Sequence, residues 1–107
     1  MEQINRIEVQ GKIGNVRINS YNDNQVANFS VVTNYLYRNK EGDVIETTWH
    51  NVVAWEGKNM PDFEKLVKGA TANVVGRLKS NKYTSADGIE RVGFEIIANK
   101  ISILDEY

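Results

Sequence analysis

Cysteine is absent from this chain of 107 residues. Without a thiol there is no disulfide framework, no thiolate zinc site, no iron–sulfur cluster and no cysteine nucleophile. There is a single histidine, His50, so any site needing two imidazoles is excluded unless subunits share it. No apolar run approaches the roughly 20 residues that span a bilayer. The opening MEQINRIEVQ lacks the apolar stretch of a signal peptide. A soluble, cytoplasmic protein with no membrane partner is the expectation. An excess of one charge sign is missing as well. Thirteen Lys and Arg stand against fourteen Asp and Glu, for a net charge of -1. That is not the usual profile of a nucleic-acid binder, but for a polyanion what matters is where the cations sit. What is present is enough for a core. Hydrophobic residues make up 41% and charged residues 25%, and the length fits one domain over residues 1–107.

The patterning is mostly strand. Residues 4–13 place Ile4, Arg6, Glu8 and Gln10 on one parity and Ile7, Val9 and Ile13 on the other. Gly11 and Gly14 bracket the end of this strand and suit a bulge or bend. The polar cluster at 19–25 has turn chemistry and reads as a loop. Residues 26–38, rich in β-branched and aromatic side chains, read as a second strand, 39–43 as a hairpin loop, and 44–55 as a third strand. A helix is expected next. Pro61 suits its first turn, Phe63, Leu66 and Val67 give an apolar stripe, and Gly69 stops it. A fourth strand runs from Thr71 to about Lys82, SADG at 85–88 makes a hairpin, and a fifth strand spans about Ile89 to Leu104. The order β-β-β-α-β-β is that of the OB-fold, an all-β five-stranded Greek-key barrel with one helix between strands 3 and 4. SH3-like barrels and small α+β sheets share parts of that pattern.

The third strand carries the sharpest chemistry. With a period of two, Trp49, Asn51, Val53 and Trp55 share one face. Both indoles are core residues on one reading. Asn51 between them argues against full burial. In the fourth strand Arg77, Lys79, Asn81 and Tyr83 share a parity, and RLKSNKY (77–83) holds three cations and no acid. A solvated outer face would produce the same alternation. The second strand ends in YLYRNK (35–40), again aromatic and basic. Aromatics interleaved with cations suit single-stranded nucleic acid. Every base has a face that stacks on Trp or Tyr, and Lys and Arg neutralise phosphates. A duplex would hide those faces.

On these residues the chain resembles the bacterial and phage single-stranded DNA-binding (SSB) protein family. The resemblance covers nearly the whole sequence. It is carried by NRIEVQGKIG, VANFSVVTN, TTWHNVVAW and GRLKSNKY, with TTWHNVVAW the most distinctive. The resemblance implies base stacking on Trp49, Trp55, Tyr37 and Tyr83. Relatives often carry Trp at the last two positions, so stacking there is expected to be weaker. It also implies phosphate contacts from Lys79, Lys82, Arg38, Arg77, Lys12, Arg17 and Lys58. The family's homotetramers, with a dimer as the smaller option, put Ile4, Arg6 and Glu8 of the first strand and His50 at subunit contacts. A hydrogen-bonded core histidine is the other reading of His50.

The segment after Gly14 is shorter than in the family and lacks its Asp-Pro element. The sequence stops at LDEY without the family's flexible linker and acidic tip, and Asp105 and Glu106 are too few to replace them; either the sequence is a shortened one or this member coats DNA without such a tail. On the second of these readings, recruitment of enzymes through such a tail is not expected. The resemblance implies sequence-tolerant single-stranded DNA binding in replication, recombination and repair, with nucleoid association. No cofactor, metal or catalytic residue is expected, since no carboxylate cluster has metal-ligand spacing and His50 lacks triad partners. A primosome-type OB component is the nearest alternative. A protein–protein adaptor using Trp49 and Trp55 as a dry interface is the other.

Overall fold

In the computed structural model, which describes residues 2–104, five long strands follow one another. They are β1 (Ile7–Tyr21), β2 (Asn24–Asn39), β3 (Gly42–Trp55), β4 (Thr71–Thr84) and β5 (Glu90–Leu104). Asp105 and Glu106 lie outside the described residues. The strands close into a barrel in the order β1-β2-β3-β5-β4. All pairings are antiparallel except that of β3 with β5, which meet in parallel at Val52–Ile96 and Val53–Ile97. This is the expected all-β OB arrangement.

β1 closes the barrel by serving two neighbours. Its first half, Ile7–Lys12, pairs with β4, and from Lys12 onward it pairs with β2. At the change of partner the register slips between Ile13 and Val16, leaving Gly14 and Asn15 opposite the one residue Ser30. A bulge of this kind bends a strand and re-aims its side chains. Gly11 is needed beside it, because a Cβ there would collide with the Val32 carbonyl. The inward-facing side chains fill the interior with Val9, Ile13, Phe29, Val31, Val52, Val74, Ile96 and Ile101, the parity of β5 changing across its register shift with β4.

Three sequence expectations are corrected. The first strand starts at Ile7 rather than Ile4, and the polar cluster at 19–25 is strand except for its centre. Asn22 and Asp23 both take positive φ, 47° and 68°. These two residue types tolerate that region, and two such residues in succession make the tight primed turn favoured between twisted strands. The helix is reduced to one 3-10 turn, Phe63–Lys65. About nine residues are too few for a helix to hold itself. Here tertiary contacts win instead. Phe63 and Leu66 are both buried in the core, and the backbone of Leu66 leaves helical geometry. The chain is then pinned to the β1 bulge, with the Gly69 amide donating to Ile13 O and the Ile13 amide to Ala70 O, both at 2.8 Å. Val67, expected on the apolar stripe, is exposed as a result.

Candidate nucleic-acid interface

Because opposed residues on paired strands share a face, the register fixes what stands together on the outside of the barrel. One row runs Lys12–Val32–Trp49 across β1, β2 and β3. The next holds Ser30 and Asn51 beside the bulge residues Gly14 and Asn15. Arg17, Asn28 and Val53 follow, and the row continues through Ile97 of β5 to Arg77 of β4. A further row is Asn19–Val26–Trp55. On β5 and β4 the same outer face carries Glu95–Lys79, Gly93–Asn81 and Arg91–Tyr83.

The rings expected to stack are open. Trp49 is 60% exposed, Trp55 48%, Tyr83 52% and Tyr37 42%. Two of them rest on glycines. A Cβ at Gly14 would lie 2.8 Å from the Trp49 ring, and one at Gly93 would lie 3.4 Å from the Tyr83 ring. The missing side chains let these rings lie close to the sheet with their outer faces free. Trp55 has an aromatic neighbour, Tyr21, at 6.2 Å between centroids and tilted by 50°.

Between the two indoles runs a trough of about 450 Å³, lined by Asn15, Arg17, Asn28, Ser30 and Asn51 over Val16 and Phe29. It contains no acid. It adjoins a second hollow of about 410 Å³ that shares Asn28, Phe29 and Asn51 and reaches Asn81, Tyr83 and Glu95. The Asn81 amide donates to Glu95 Oε1 at 2.9 Å, tying down the acid on this path. The grooved surface therefore passes from β1 across β2, β3 and β5 to β4.

The structure brings Trp49, Trp55, Lys12, Arg17, Arg77, Lys79 and Tyr83 onto this one outer face. Four other expected residues lie away from the trough, although Arg38 shares the parity of Val32 and Trp49. Tyr37 opposes Val44, so it belongs to the reverse side of the β2–β3 arm, where it pairs with Tyr35 at 6.2 Å. Lys82 opposes Val92 on the reverse side of the β4–β5 arm, with Nζ 4.0 Å from Glu90. Arg38 lies towards the arm tip and donates to Asp43 at 3.1 Å. Both pairs are exposed, and such pairs are worth at most about 1 kcal/mol and leave the cation available. Lys58 sits in the connection after β3, exposed.

The tip joining β4 to β5 is held by Asp87. It accepts from the Ser85 hydroxyl, from the Ile89 amide at 3.2 Å and from Arg91 Nη2 at 3.3 Å. These donors, Ser85 foremost, hold its carboxyl below the usual carboxylate range. The stabilisation is complete above an ordinary Asp pKa and is lost as the pH falls through the lowered one.

Of the residues assigned to subunit contacts, Ile4 and Arg6 precede β1 and are exposed. Glu8 accepts from the Asn73 amide at 2.9 Å. His50 is half-buried, and its Nε2 shares a 2.9 Å hydrogen bond with the Thr33 hydroxyl. Sequence reasoning missed Tyr21, Tyr35 and, in the trough, Asn15, Asn28, Ser30 and Asn51 as binding residues, while Arg17 was expected. Tyr21 was legible through the alternation of Arg17, Asn19 and Tyr21 against Val16 and Ile18, had the strand been read past residue 18.

The model of the single-strand binding protein family matches residues 4–104. A single-stranded DNA-binding protein of Neisseria meningitidis serogroup A is 33% identical over 104 residues, covering 94% of this chain and 60% of the relative. A mitochondrial single-stranded DNA-binding protein of Danio rerio is 28% identical over 115 residues, covering 98% of this chain and 79% of the relative. The chain thus spans about three fifths of the length of the bacterial relative it matches. A solved Plasmodium falciparum SSB complex with ssDNA superposes with a TM-score of 0.78 at 27% identity, covering 98% of both chains.

Proposed function

The chain belongs to the single-strand binding protein family, and on that premise we propose that it binds single-stranded DNA without strong sequence preference. Bases stack on Trp49, Trp55 and Tyr83, and phosphates meet Arg17, Lys12, Arg77 and Lys79. The observation that carries this reading is the exposure of the two indoles at either end of an acid-free trough with arginine beside it. Stacking serves any base and contributes about 1–3 kcal/mol per base. Cations on the same face add a term that weakens with salt, because each neutralised phosphate releases counterions. A strand following the outer face needs no base pairs opened by the protein, so duplex of equal length is a poor competitor.

Tyr37, Lys82 and Arg38 lie on the arms beyond the barrel, and Tyr37 and Lys82 face away from Trp49. They engage DNA that wraps round the arms rather than DNA lying on the trough. We assign no catalytic step, and the protein acts wherever single strands are exposed during replication, recombination or repair, in the cytoplasm with the nucleoid.

Lys79 stands on the outer face opposite Glu95. Lys79→Ala is expected to lower the slope of log K against log salt by about one unit. An unchanged slope in titrations at several ionic strengths removes this residue from the phosphate path.

The proposed assembly is a homotetramer with Ile4, Arg6, Glu8 and His50 near subunit contacts. It is supported by the edge of β1 before Lys12 on the side of β2, where no strand pairs among the described residues. An unpaired edge invites a second chain. Light scattering at micromolar concentration is expected to give four times the mass of one chain, and a monomer defeats this assignment.

A further inference from the structure

Some carboxamides of the fold are tied into hydrogen bonds, and the two that line both hollows of the outer face are not. The Asn5 side chain bonds the backbone of Leu78 in both directions, at 2.8 and 2.9 Å. Asn73 donates to Glu8 and Gln10, and Asn81 donates to Glu95. The side chains of Asn28 and Asn51 make no hydrogen bond to protein among the described residues. Both are exposed, they line both hollows of the outer face, and Asn51 stands on the same face as the two indoles. Along an extended strand it lies roughly 7 Å from Trp49, two residues away.

A carboxamide offers one acceptor and two donors side by side. Phosphate oxygens only accept, so a phosphate would leave the carboxamide oxygen unused, and Arg17, opposite Asn28 and one row from Asn51, is the better partner for a phosphate. The Watson–Crick edge of every nucleobase carries a donor next to an acceptor. In a single strand those edges are free, and in a duplex they are occupied by pairing.

Resting on the single-stranded DNA reading above, we propose that Asn28 and Asn51 bind the Watson–Crick edges of bases stacked beside Trp49 and Trp55. The trough thereby recognises unpaired bases as such. Stacking holds the base face, and the carboxamides test whether its edge is vacant. Because all bases present a donor and an acceptor there, the contact tolerates sequence while rejecting paired bases.

The experiment compares the parent with Asn28→Ala/Asn51→Ala on two strands of equal length, oligo(dT) and its N3-methylthymidine counterpart. N3-methylation removes the donor from the edge but keeps the stacking face and the phosphates. The double variant is expected to bind oligo(dT) about three- to tenfold more weakly with an unchanged salt slope. On the methylated strand the loss is expected to be clearly smaller, because the edge keeps its acceptors but no longer has a donor for the carboxamide oxygen. Asn51→Ala alone gives the same pattern at smaller amplitude, should the double variant fail to fold. Equal binding of oligo(dT) by parent and variant overturns the proposal, as does the same loss on both strands or a salt slope lowered by one. A parent that binds neither strand overturns the DNA-binding reading itself, and this proposal with it.

Discussion

Trp49→Ala is expected to weaken binding of oligo(dT) by about 1–3 kcal/mol, roughly 5- to 150-fold in affinity, without unfolding the protein. The ring lies over Gly14 on the outside of the sheet and remains 60% exposed, so its removal opens no cavity in the core. What is lost is a flat apolar surface held at a fixed height above the strand. Trp55→Ala is expected to cost less within the same range, because the Tyr21 ring beside it, at 6.2 Å, remains to stack. Trp55→Ala combined with Tyr21→Ala is expected to match the loss at Trp49. Fluorescence anisotropy of a labelled oligonucleotide reads all of these. If both indole variants keep their circular dichroism spectra and bind like the parent, stacking on β3 is refuted.

The second large effect concerns the barrel itself. Gly76 is buried, pairs with Ile7 of β1 and Ala98 of β5, and sits at the register shift between β4 and β5. A Cβ there would collide with the Ile97 carbonyl and lie 3.0 Å from the Ala98 Cα. Both obstacles are backbone, so relief requires a strand to move. β4 is held on either side by β1 and β5, and moving it opens the closure of the barrel. Gly76→Ala is expected to destabilise the fold by about 3 kcal/mol and to lower Tm by roughly 12–24 °C. Gly57→Ala is the control. Its nearest neighbour would be the Trp55 carbonyl at 4.0 Å, and the change is expected to stay within about 0.5 kcal/mol. Thermal melts of the two variants that coincide contradict this account of barrel closure.

Strand alternation made most of the barrel legible. Trp49, Asn51, Val53 and Trp55 lie on one face as their spacing requires, and Val52 and Ala54 point into the core. Gly11 and Gly14 were readable as the place where β1 bends, because a bulge and a close approach both need a missing side chain. Reading by local propensity fails where it competes with tertiary contacts. The segment around Phe63 has helical spacing, yet the demand that Phe63 and Leu66 both enter the core stops it after one turn. The polar cluster ending β1 has turn composition, yet only Asn22 and Asp23 turn.

Residues separated in sequence were harder. Nothing in the chain order says that Arg17 and Arg77 stand on one row, since that follows from the registers of four strand pairs. Tyr37 was legible as an aromatic beside cations, but the side of the arm it occupies depends on the pairing of Tyr37 with Val44.

The most direct test follows intrinsic tryptophan emission during titration with oligo(dT) and with duplex of the same length, at low and high salt. The account predicts saturable quenching by the single strand, weaker affinity at high salt, and little response to duplex. Emission unmoved by saturating single strand, or quenched equally by duplex, contradicts it.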